Sequence, residues 1–409
     1  MQQYDLVIIG GGLVGGSLAC ALGGLGLRIA LVEALPPAVR AEPSYDERVI
    51  ALAWGSRLIL DGIGLWSRIS PEAVAIERIH VSDRGHFGFA RIDRGDAGVE
   101  ALGYVAPARL LGRAIEAGLG RSAGVDLLAP AKVLGLQVDA LGADLEVVED
   151  GASRLVRARL VVAADGGDSA VRRRLGIAVR ERAYGQEAVI TTVTAERPLR
   201  GVAFERFTDS GPLALLPLSE GRYSVVWTAR EADTEGLLAL DDRAFCERLQ
   251  ERFGWRVGRL TRPARRLVYP LKLLLAEESV RPRLVLIGNA AHTLHPVAGQ
   301  GLNLGLRDVA ALAEVVAAAA AAGADVGGGA LLDDYRRLRG RDQAEVAQAT
   351  DALAWLFVNP WLPVRVARDL GMLGLDLAPG ARALLARRFM GLVGSRPRLA
   401  RGLSLGDRP

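Results

Sequence analysis

The feature that most constrains this chain is a glycine run that directly follows a short apolar segment near the N-terminus. Residues 4–9 are almost entirely apolar, and the run Gly10-Gly11-Gly12-Leu13-Val14-Gly15 comes next. A continuous apolar run that ends in glycine is typical of a buried parallel strand. Small and apolar residues at helical spacing over 13–23, and a second apolar segment over 28–33, complete a predicted β-α-β unit.

The run fits the pattern G-x-G-x-x-G, in which each glycine has a physical purpose. Gly10 permits a tight turn, Gly12 lets a pyrophosphate approach the backbone, and Gly15 lets helix and strand pack closely. The start of the helix offers free N–H groups and the positive end of its dipole to phosphates. Glu33, 18 residues after Gly15, can accept hydrogen bonds from ribose hydroxyls. We predict a dinucleotide site here, although the pattern alone does not separate FAD from NAD.

A second candidate segment lies at residues 161–172, where an apolar strand runs into Asp165-Gly166. An aspartate at the end of a strand can reach a ligand in the crevice beyond it. The alternative is a plain strand-end turn in which Ser169 caps a short helix. Both interpretations stay open from these residues alone.

The third segment, residues 284–308, predicts a buried strand that ends at Gly288-Asn289 and a helix from about 301 to 322. Between them lies a turn with Pro296 and Gly299-Gln300-Gly301, whose backbone N–H groups would suit a ring that carries negative charge. His292 and His295 have the spacing H-x-x-H, but no further ligand motif lies nearby, so we predict no metal site. His295 is a candidate pocket residue together with Pro296, and the alternative is an ordinary loop histidine.

In their order and spacing, the three segments resemble the group A flavin-dependent aromatic hydroxylases, which share the fold of p-hydroxybenzoate hydroxylase. The branch that acts in ubiquinone biosynthesis is most similar. Asp46-Glu47-Arg48 followed by Ala51-Leu52 resembles its early loop, and Gly288 to Asp308 resembles it almost residue for residue. Most relatives in that branch carry Gly-Asp at Gly288-Asn289. The asparagine, with Thr293-Leu294-His295-Pro296, is similar to the 2-polyprenyl-6-methoxyphenol hydroxylase subgroup.

The resemblance implies roles for residues of all three segments. Residues that would contact the ADP half of FAD are Gly10, Gly12, Leu13, Val14, Gly15 and Glu33. Val133 would meet the adenine through its backbone, and Asp165 would lie by the pyrophosphate and the region that the nicotinamide cofactor visits. Arg48 and Arg109 would lie near the flavin or pyrophosphate. Residues that would hold the ribitol or line the isoalloxazine are Asn289, Pro296, Gly299, Gly301, Leu302 and Asn303.

The implied fold class is α/β, with a Rossmann-like FAD-binding domain that has a mainly parallel sheet, an inserted antiparallel-sheet substrate domain and a helical C-terminal region. Alternating apolar and polar residues over 186–230 independently predict an antiparallel sheet. The FAD-binding domain is expected to comprise residues 1–75, 100–182 and 270–340. The substrate domain would comprise residues 76–99 and 183–269, and the helical region 341–409.

The implied activity is hydroxylation of a polyprenylated phenol with FAD, O2 and NADPH or NADH, by way of a flavin C4a-hydroperoxide. The subgroup similarity favours conversion of 2-polyprenyl-6-methoxyphenol to 2-polyprenyl-6-methoxy-1,4-benzoquinol. The alternatives are a sister hydroxylase that acts at another ring position and a flavin-containing lipid-binding subunit with little turnover. Other ubiquinone-biosynthesis proteins are candidate partners. No second G-x-G-x-x-G is present, so the nicotinamide cofactor is expected to bind only transiently, and the sequence names no general base.

Composition bears on where the protein acts. The formal net charge of +4 is mild and does not indicate nucleic-acid binding. Two cysteines cannot form a disulfide framework, which fits a cytoplasmic protein. Residues 361–409 contain nine arginines and three aspartates, and aromatic residues lie at their start. Two interpretations of this segment stay open: peripheral contact with an anionic inner membrane, or a helical cap that packs on the core.

Overall fold

The computed structural model describes residues 1–36, 48–359 and 361–406, to which all structural statements below refer. The strands, in chain order, are β1 Gln2–Ile9, β2 Ile29–Val32, β3 Val49–Ala53, β4 Val74–Ile76, β5 Arg78–Asp83, β6 Phe89–Asp93, β7 Gly103–Pro107, β8 Val125–Leu128, β9 Ala131–Val138, β10 Ala143–Glu149, β11 Ala152–Ala163, β12 Val179–Ala195, β13 Val202–Thr208, β14 Gly211–Pro217, β15 Arg222–Arg230, β16 Leu260–Thr261, β17 Leu267–Ala276, β18 Val280–Arg281, β19 Leu284–Leu286 and β20 His292–Thr293. The α-helices are α1 Leu13–Leu22, α2 Trp54–Gly62, α3 Trp66–Ile69, α4 Arg94–Ala97, α5 Ala108–Leu119, α6 Ala170–Arg174, α7 Glu231–Ala239, α8 Asp242–Phe253, α9 Gln300–Ala321, α10 Gly329–Val358, α11 Leu362–Leu377 and α12 Pro379–Phe389.

The first sheet has the parallel core that the apolar runs predict. Strands β19, β11, β1, β2 and β8 lie side by side and parallel. Leu6 and Ile8 of β1 pack on one face against α1, α5 and α9. Val7 and Ile9 pack on the other face beneath an antiparallel extension formed by β9, β10 and the first half of β11. Because both faces are covered here, residues 6–9 of β1 and 160–163 of β11 are apolar without interruption.

The second sheet has the order β20-β17-β12-β15-β14-β13-β5-β6, with β16 beside β12. Its pairs are antiparallel, as residues 186–230 predict, except that β13 runs parallel to β5. Tyr223, Val225 and Trp227 of β15 pack in a core with Phe245 and Leu249 of α8. The boundaries expected at 182/183 and 269/270 fall inside β12 and β17, both of which belong to this second sheet. The division into domains stays a prediction.

The C-terminal region is helical, as expected. Helix α10 is followed by the separate helices α11 and α12. Helix α11 packs beside β6, and α12 packs beside α4. A small third sheet, β3-β7-β4, lies between these helices and the parallel sheet. Across the described residues, no helix combines the length and apolar character that crossing a bilayer requires. Both cysteines are free thiols.

Candidate functional site

The glycine fingerprint, residues 10–15, is held by close backbone contacts. Gly10 adopts a φ of +103°, a region that favours glycine. A Cβ atom on Gly10 would lie 2.4 Å from the carbonyl oxygen of Ala164, and one on Gly15 would lie 1.9 Å from the carbonyl oxygen of Gly10. No atom lies within 4 Å of the corresponding position on Gly12. Two glycines thus allow β1, α1 and β11 to touch, and the third faces open space.

The first turn of α1 offers unpaired backbone donors beside that space. Gly12 is the N-cap residue, and no side chain caps the helix. The first N–H groups of a helix have no partner within the helix. Leu13 and Val14 form the start of this turn. An anionic group that approached Gly12 would therefore meet free donors and the positive end of the helix dipole.

Glu33 ties the end of β2 to the glycine fingerprint. One carboxylate oxygen, Oε2, accepts a hydrogen bond from the backbone N–H of Gly11 at 2.7 Å. The other, Oε1, accepts from the backbone N–H of Leu35 at 2.8 Å. A carboxylate has about four acceptor positions. Each oxygen of Glu33 therefore keeps the capacity for a further bond, such as one from a ribose hydroxyl.

Asp165 lies where the second segment meets the fingerprint, two residues after the end of β11. Its Oδ2 atom accepts a hydrogen bond from the backbone N–H of Val171 at 3.1 Å. Its Oδ1 atom is buried and accepts no bond from the described residues. A buried acceptor without a donor is costly, so this atom suits a ligand donor. Ser169 also acts as the helix cap considered above, since its Oγ atom accepts from the N–H of Arg172 at 3.0 Å.

Arg172, the last residue of the second segment, links the second and third segments. It is buried, and its guanidinium donates to the carbonyl oxygens of Ala290 at 2.9 Å and Gly167 at 2.7 Å. The chain offered no signal that this arginine would be buried, because its partners are backbone carbonyls. Its position holds the turn after β19 against the turn after β11.

The first and third segments meet at Val14. A Cβ atom on Gly288 would lie 3.1 Å from Cγ2 of Val14, and one on Gly305 would lie 2.9 Å from the same atom. Gly288 also has a positive φ of +58°. The starts of α1 and α9 are therefore packed together through a valine and two glycines.

The Pro296–Asn303 turn presents a second uncapped helix start. A short 3-10 turn at Val297–Gly299 leads into α9, and Gly299 is the N-cap residue, with a φ of +60° and no side-chain cap. The Cβ position on Gly301 has no atom within 4 Å. Leu302 is half-buried beside it. Backbone donors and open space thus occur together here, as they do at Gly12.

The side chain of Asn303 is committed to holding this turn. Its Oδ1 atom accepts from the N–H of Ala53 at 2.8 Å and from Oγ of Ser56 at 2.7 Å. Its Nδ2 atom donates to the carbonyl oxygens of Ala51 at 2.9 Å and Gly299 at 2.6 Å. All of these partners belong to the protein. A contact of Asn303 with a flavin ring would therefore be made by its backbone.

Asp308 is a buried hub that the sequence did not single out. Its Oδ2 atom accepts from the N–H of Gly288 at 3.1 Å and lies 2.6 Å from Nε2 of His292. Its Oδ1 atom accepts from Arg339 at 2.8 Å and Gln343 at 2.9 Å. Burial alone would raise the pKa of Asp308, but His292 and Arg339 hold that pKa below its ordinary value. The available signal was an acidic residue inside the apolar stretch of α9.

His295 is 1% exposed and immediately precedes the turn. Its Nδ1 atom accepts a hydrogen bond from the N–H of Val297 at 3.2 Å, which assigns the proton of the neutral ring to Nε2. That Nε2 atom is buried and has no partner among the described residues. Burial lowers the pKa of His295 to about 4. The ring of Tyr184 meets it edge-on, with centroids 4.9 Å apart.

A cavity of about 940 Å³ lies between the second sheet and helices α10 and α11. Its lining includes Tyr184 and Gln186 of β12, Phe357 of α10, and Arg365 and Arg368 of α11. Because Tyr184 also contacts His295, the cavity and the Pro296–Asn303 turn share a wall. An aromatic molecule in this region would have apolar and charged neighbours.

The side chains of the two predicted arginines have different partners. The guanidinium of Arg48 lies 5.9 Å from the centre of the Tyr269 ring, and the carbonyl oxygen of Arg48 accepts from Ala108 at 2.8 Å. Arg109 follows in α5, and its guanidinium lies 3.8 Å from a carboxylate oxygen of Glu72. The backbone bond thus places Arg48 and the start of α5 together. The preceding residues of the early loop, Asp46-Glu47, lie outside the described residues.

Val133 and Asn289 complete the predicted set. Val133 lies in β9, at the edge of the antiparallel extension, and its carbonyl oxygen accepts from Arg174 at 3.0 Å. This bond occupies part of the backbone that was expected to meet the adenine. Asn289 follows Gly288 and is exposed, so its amide is accessible to a ligand.

One group of metal-ligand residues occurs away from these turns. Asp83, His86 and Asp369 bring one potential ligand atom each within 4.8 Å of one another. Arg368 donates to Asp83, and the guanidinium of Arg365 lies 3.3 Å from Nδ1 of His86. The guanidinium groups of Arg368 and Arg365 thus place positive charge beside Asp83 and His86. A metal cation would be repelled there, so we assign no metal to the group.

Comparison with known proteins adds independent findings. A model of the FAD binding domain family matches residues 3–350. Ubiquinone hydroxylase UbiL of Rhodospirillum rubrum is 43% identical over 404 residues, which cover 98% of this chain and 93% of that protein. The 3-demethoxyubiquinol 3-hydroxylase of Escherichia coli is 31% identical over 400 residues, covering 96% and 99%. The crystal structure of p-nitrophenol 4-monooxygenase PnpA from Pseudomonas putida DLL-E4 is similar with a TM-score of 0.79 and 23% identity, covering 97% of this chain and all of that one.

Proposed function

Because this chain belongs to the FAD binding domain family and its relatives are flavin hydroxylases, we propose that it hydroxylates the aromatic ring of a polyprenylated phenol in ubiquinone biosynthesis. The resemblance to flavin-dependent aromatic hydroxylases is thereby confirmed, and FAD is the cofactor of the family. The names of two relatives that act on ubiquinone or its precursors support the pathway. The observation that carries the proposal is that α1 and α9, whose first turns are both uncapped, pack together through Val14, while the Oδ1 atom of Asp165, buried and without a partner among the described residues, lies next to the fingerprint.

The residues present fit the pyrophosphate and the adenosine ribose of FAD. Open space at Gly12 and the free donors of α1 suit the pyrophosphate, and Glu33 has acceptor capacity for the ribose. The Oδ1 atom of Asp165 would accept a hydroxyl or N–H donor. The remaining contacts of the ADP half are proposed for Gly10, Leu13, Val14 and Gly15, with Val133 at the adenine and with Arg48 and Arg109 near the pyrophosphate or flavin.

The isoalloxazine and ribitol are proposed to lie at the second helix start. Open space at Gly301 and the uncapped first turn of α9 suit the side of the flavin that becomes negative on reduction. Asn289 is accessible for a ribitol hydroxyl. The other proposed ring contacts are Pro296, Gly299, Leu302 and the backbone of Asn303.

When bound, FAD that has been reduced by NADPH or NADH supplies the activation of O2 and the transfer of one oxygen atom to the ring. The residues of the chain must orient the phenol and exclude water. We assign the phenol-binding role to His295, which is neutral at pH near 7 and carries its proton on Nε2. A hydrogen bond from Nε2–H to the phenol oxygen would favour the phenolate, the more reactive state of the ring. Tyr184 would position the ring from the cavity side.

Within the pathway, the substrate we propose is 2-polyprenyl-6-methoxyphenol, with 2-polyprenyl-6-methoxy-1,4-benzoquinol as product. The support is the combination of Gly288-Asn289 with Thr293-Leu294-His295-Pro296. The Escherichia coli relative is named for a different substrate, so a sister hydroxylase at another ring position is the second candidate.

The test uses the purified full chain and short-chain analogues of both candidate phenols. We expect a yellow protein that oxidises NADPH or NADH faster when the 6-methoxyphenol is added, with one hydroxylated product formed per nucleotide consumed. Asp165→Ala should lose bound FAD, whereas Asp168→Ala, an exposed neighbour, should retain it. Hydroxylation of only the other phenol would move the assignment to the sister reaction. Hydrogen peroxide without any hydroxylated product would overturn the proposal.

A further inference from the structure

Helix α11 has its charged residues on the inside. Arg368, Asp369 and Asp376 are 6%, 3% and 9% exposed, respectively, and Arg365 is half-buried. These four are all the charged residues of the helix. An ordinary surface helix does the opposite, because it buries an apolar stripe and exposes its charges.

The exposed side of α11 is apolar along its whole length. Leu362, Val366, Leu370 and Leu377 are 66%, 44%, 56% and 73% exposed. The residues exposed between them are Pro363, Ala367, Gly371 and Gly374. This outer face of α11, defined by the four large residues, extends over about 22 Å at the usual helical rise.

Buried ion pairs fix the orientation of the helix. Arg368 donates to Asp83 of β5 and, at 3.1 Å, to the carbonyl oxygens of Leu356 and Phe357. Asp376 accepts from the backbone N–H of Arg91 at 2.8 Å and pairs with its guanidinium at 3.0 Å. A rotation that buried the apolar side would leave these charges unpaired, which is costly. The outer face of α11 is therefore a fixed surface.

We propose that the outer face of α11 docks on the surface of an anionic lipid bilayer. Trp361 at the start of the helix and Trp355 before it are 72% and 52% exposed, and exposed tryptophan is typical of the membrane interface. Two exposed arginines, Arg387 and Arg388, follow in α12. An apolar face beside aromatic and basic residues has the composition of an interfacial helix.

The distribution of charge favours a bilayer over a second copy of the chain. Residues 361–409 contain nine arginines against three aspartates, whereas the other residues together carry slightly more acidic than basic groups. In a two-fold dimer the same surface would meet itself, so its excess positive charge would face like charge. Arg365 and Arg368 lie on the inner side of α11, and Arg382 pairs with Asp96. The described arginines of this segment that stay exposed are Arg387, Arg388 (which also pairs with Glu345), Arg396 and Arg401, and anionic headgroups would attract these.

The position of the helix gives the docking a consequence that depends on the proposed function. Arg365 and Arg368 line the cavity from the inner side of α11. The inner side of α11 thus faces the cavity, and its outer face lies on the opposite side of the same helix. A phenol with a polyprenyl chain could place its ring in the cavity while its apolar chain stays in the bilayer, so the substrate need not enter water.

The test is co-sedimentation of the full chain with vesicles of phosphatidylcholine alone and of equal parts phosphatidylcholine and phosphatidylglycerol. We expect binding to the mixed vesicles and weak binding to the neutral ones. The double variant Val366→Gln with Leu370→Gln should lower the partition coefficient at least about tenfold, because each substitution removes apolar area from contact. Leu141→Gln, at a position that is 76% exposed but far from α11 in the chain, should bind as the wild type does.

The same variants separate this inference from the proposed function. The double variant Val366→Gln with Leu370→Gln and the control Leu141→Gln should both retain FAD. Both should hydroxylate a water-soluble short-chain phenol at the wild-type rate. Arg387→Gln with Arg388→Gln should reduce binding to the anionic vesicles only. Equal binding by wild type and the double variant, absence of vesicle binding, or a dimer in sedimentation velocity that the double variant abolishes would overturn the docking. Vesicle binding by a protein that hydroxylates neither phenol would support the docking proposal and contradict the proposed function.

Discussion

The glycine fingerprint and the Pro296–Asn303 turn both present the start of a helix to open space, but they are held in place by different kinds of contact. Both lead into a helix that has no side-chain cap, and both leave open space beside a glycine. The fingerprint is held by backbone atoms that touch where any Cβ would collide. The Pro296–Asn303 turn is held by the buried side chains of Asn303 and Asp308, which between them bond to eight other residues.

The difference predicts opposite sensitivities. A contact made by close approach fails when an atom is added, whereas a buried polar contact fails when a partner is removed. The two turns therefore respond to different substitutions, although they are proposed to bind parts of a single cofactor.

Asp308→Asn should cause the largest loss, because it removes the charge on which the second turn depends. Arg339 would keep only its pair with the half-buried Asp342, and breaking its fully buried pair with Asp308 costs about 3 kcal/mol of the free energy of unfolding. The measurement is urea denaturation of the protein without FAD. Asp333→Asn, in an exposed pair with Arg336, is the control and should cost no more than about 0.5 kcal/mol. A similar small loss in both variants would mean that Asp308 does not hold the turn.

Gly15→Ala should have the next largest effect, since its Cβ would lie 1.9 Å from the carbonyl oxygen of Gly10. The backbone must shift, at a cost of about 3 kcal/mol, and bound FAD should be lost with it. Gly301→Ala is the matched change at the other helix start, where no atom lies within 4 Å. It should stabilise the protein without FAD by up to about 1 kcal/mol, because alanine favours helix over glycine, while FAD binds more weakly. Equal destabilisation by both variants would remove the contrast.

How far the sequence predicts each turn follows from the same contrast. The fingerprint depends on glycines at fixed spacing within one short stretch of chain. The turn, its two strands and its helix were therefore predictable from residues 4–33. The fold class was predictable for the same reason, since apolar runs and alternation report burial locally. The antiparallel alternation over 186–230 likewise led to β12–β15.

The polar framework of the second turn was not predictable, because its partners are distant in the chain. Asn303 bonds to Ala51, Ala53 and Ser56, which are some 250 residues away. Among the described residues, the guanidinium of Arg172 bonds to carbonyl oxygens, which every residue carries. The orientation of α11 was not predictable for another reason. Charged residues in a helix usually face solvent, and the partners that bury Arg368 and Asp376 lie on the distant strands β5 and β6.

The part of the pH dependence of stability that arises from His295 should report on the second turn. Burial lowers the pKa of His295 to about 4 in the folded protein, whereas an unfolded histidine titrates near 6.5. The unfolded state therefore binds the proton first as pH falls, so stability is full above pH 6.5 and declines toward pH 4. We expect a loss of about 2 kcal/mol between pH 7.5 and 5 from this residue.

His295→Asn is the variant that tests this, because its amide oxygen can still accept from the N–H of Val297. The free energy of unfolding of this variant, measured with urea at both pH values, should fall by about 2 kcal/mol less than that of the wild type. A fingerprint variant such as Gly15→Ala should retain the full dependence. If His295→Asn and the wild type lose stability in parallel, the histidine is not buried in its neutral form.

Asn289→Asp should have the smallest effect, and it acts where the two turns meet, since the adjacent Gly288 touches Val14. Asn289 is exposed, so the added charge should alter the melting temperature without FAD by the equivalent of less than about 0.5 kcal/mol. A carboxylate accepts hydrogen bonds more strongly than an amide, so FAD should bind about fivefold more tightly if this residue holds the ribitol. Fluorescence titration of the protein without FAD measures the change. Asp168→Asn, an exposed change in the second segment, should leave affinity unchanged. Unaltered affinity in Asn289→Asp would place the ribitol elsewhere and confine the second turn to the ring.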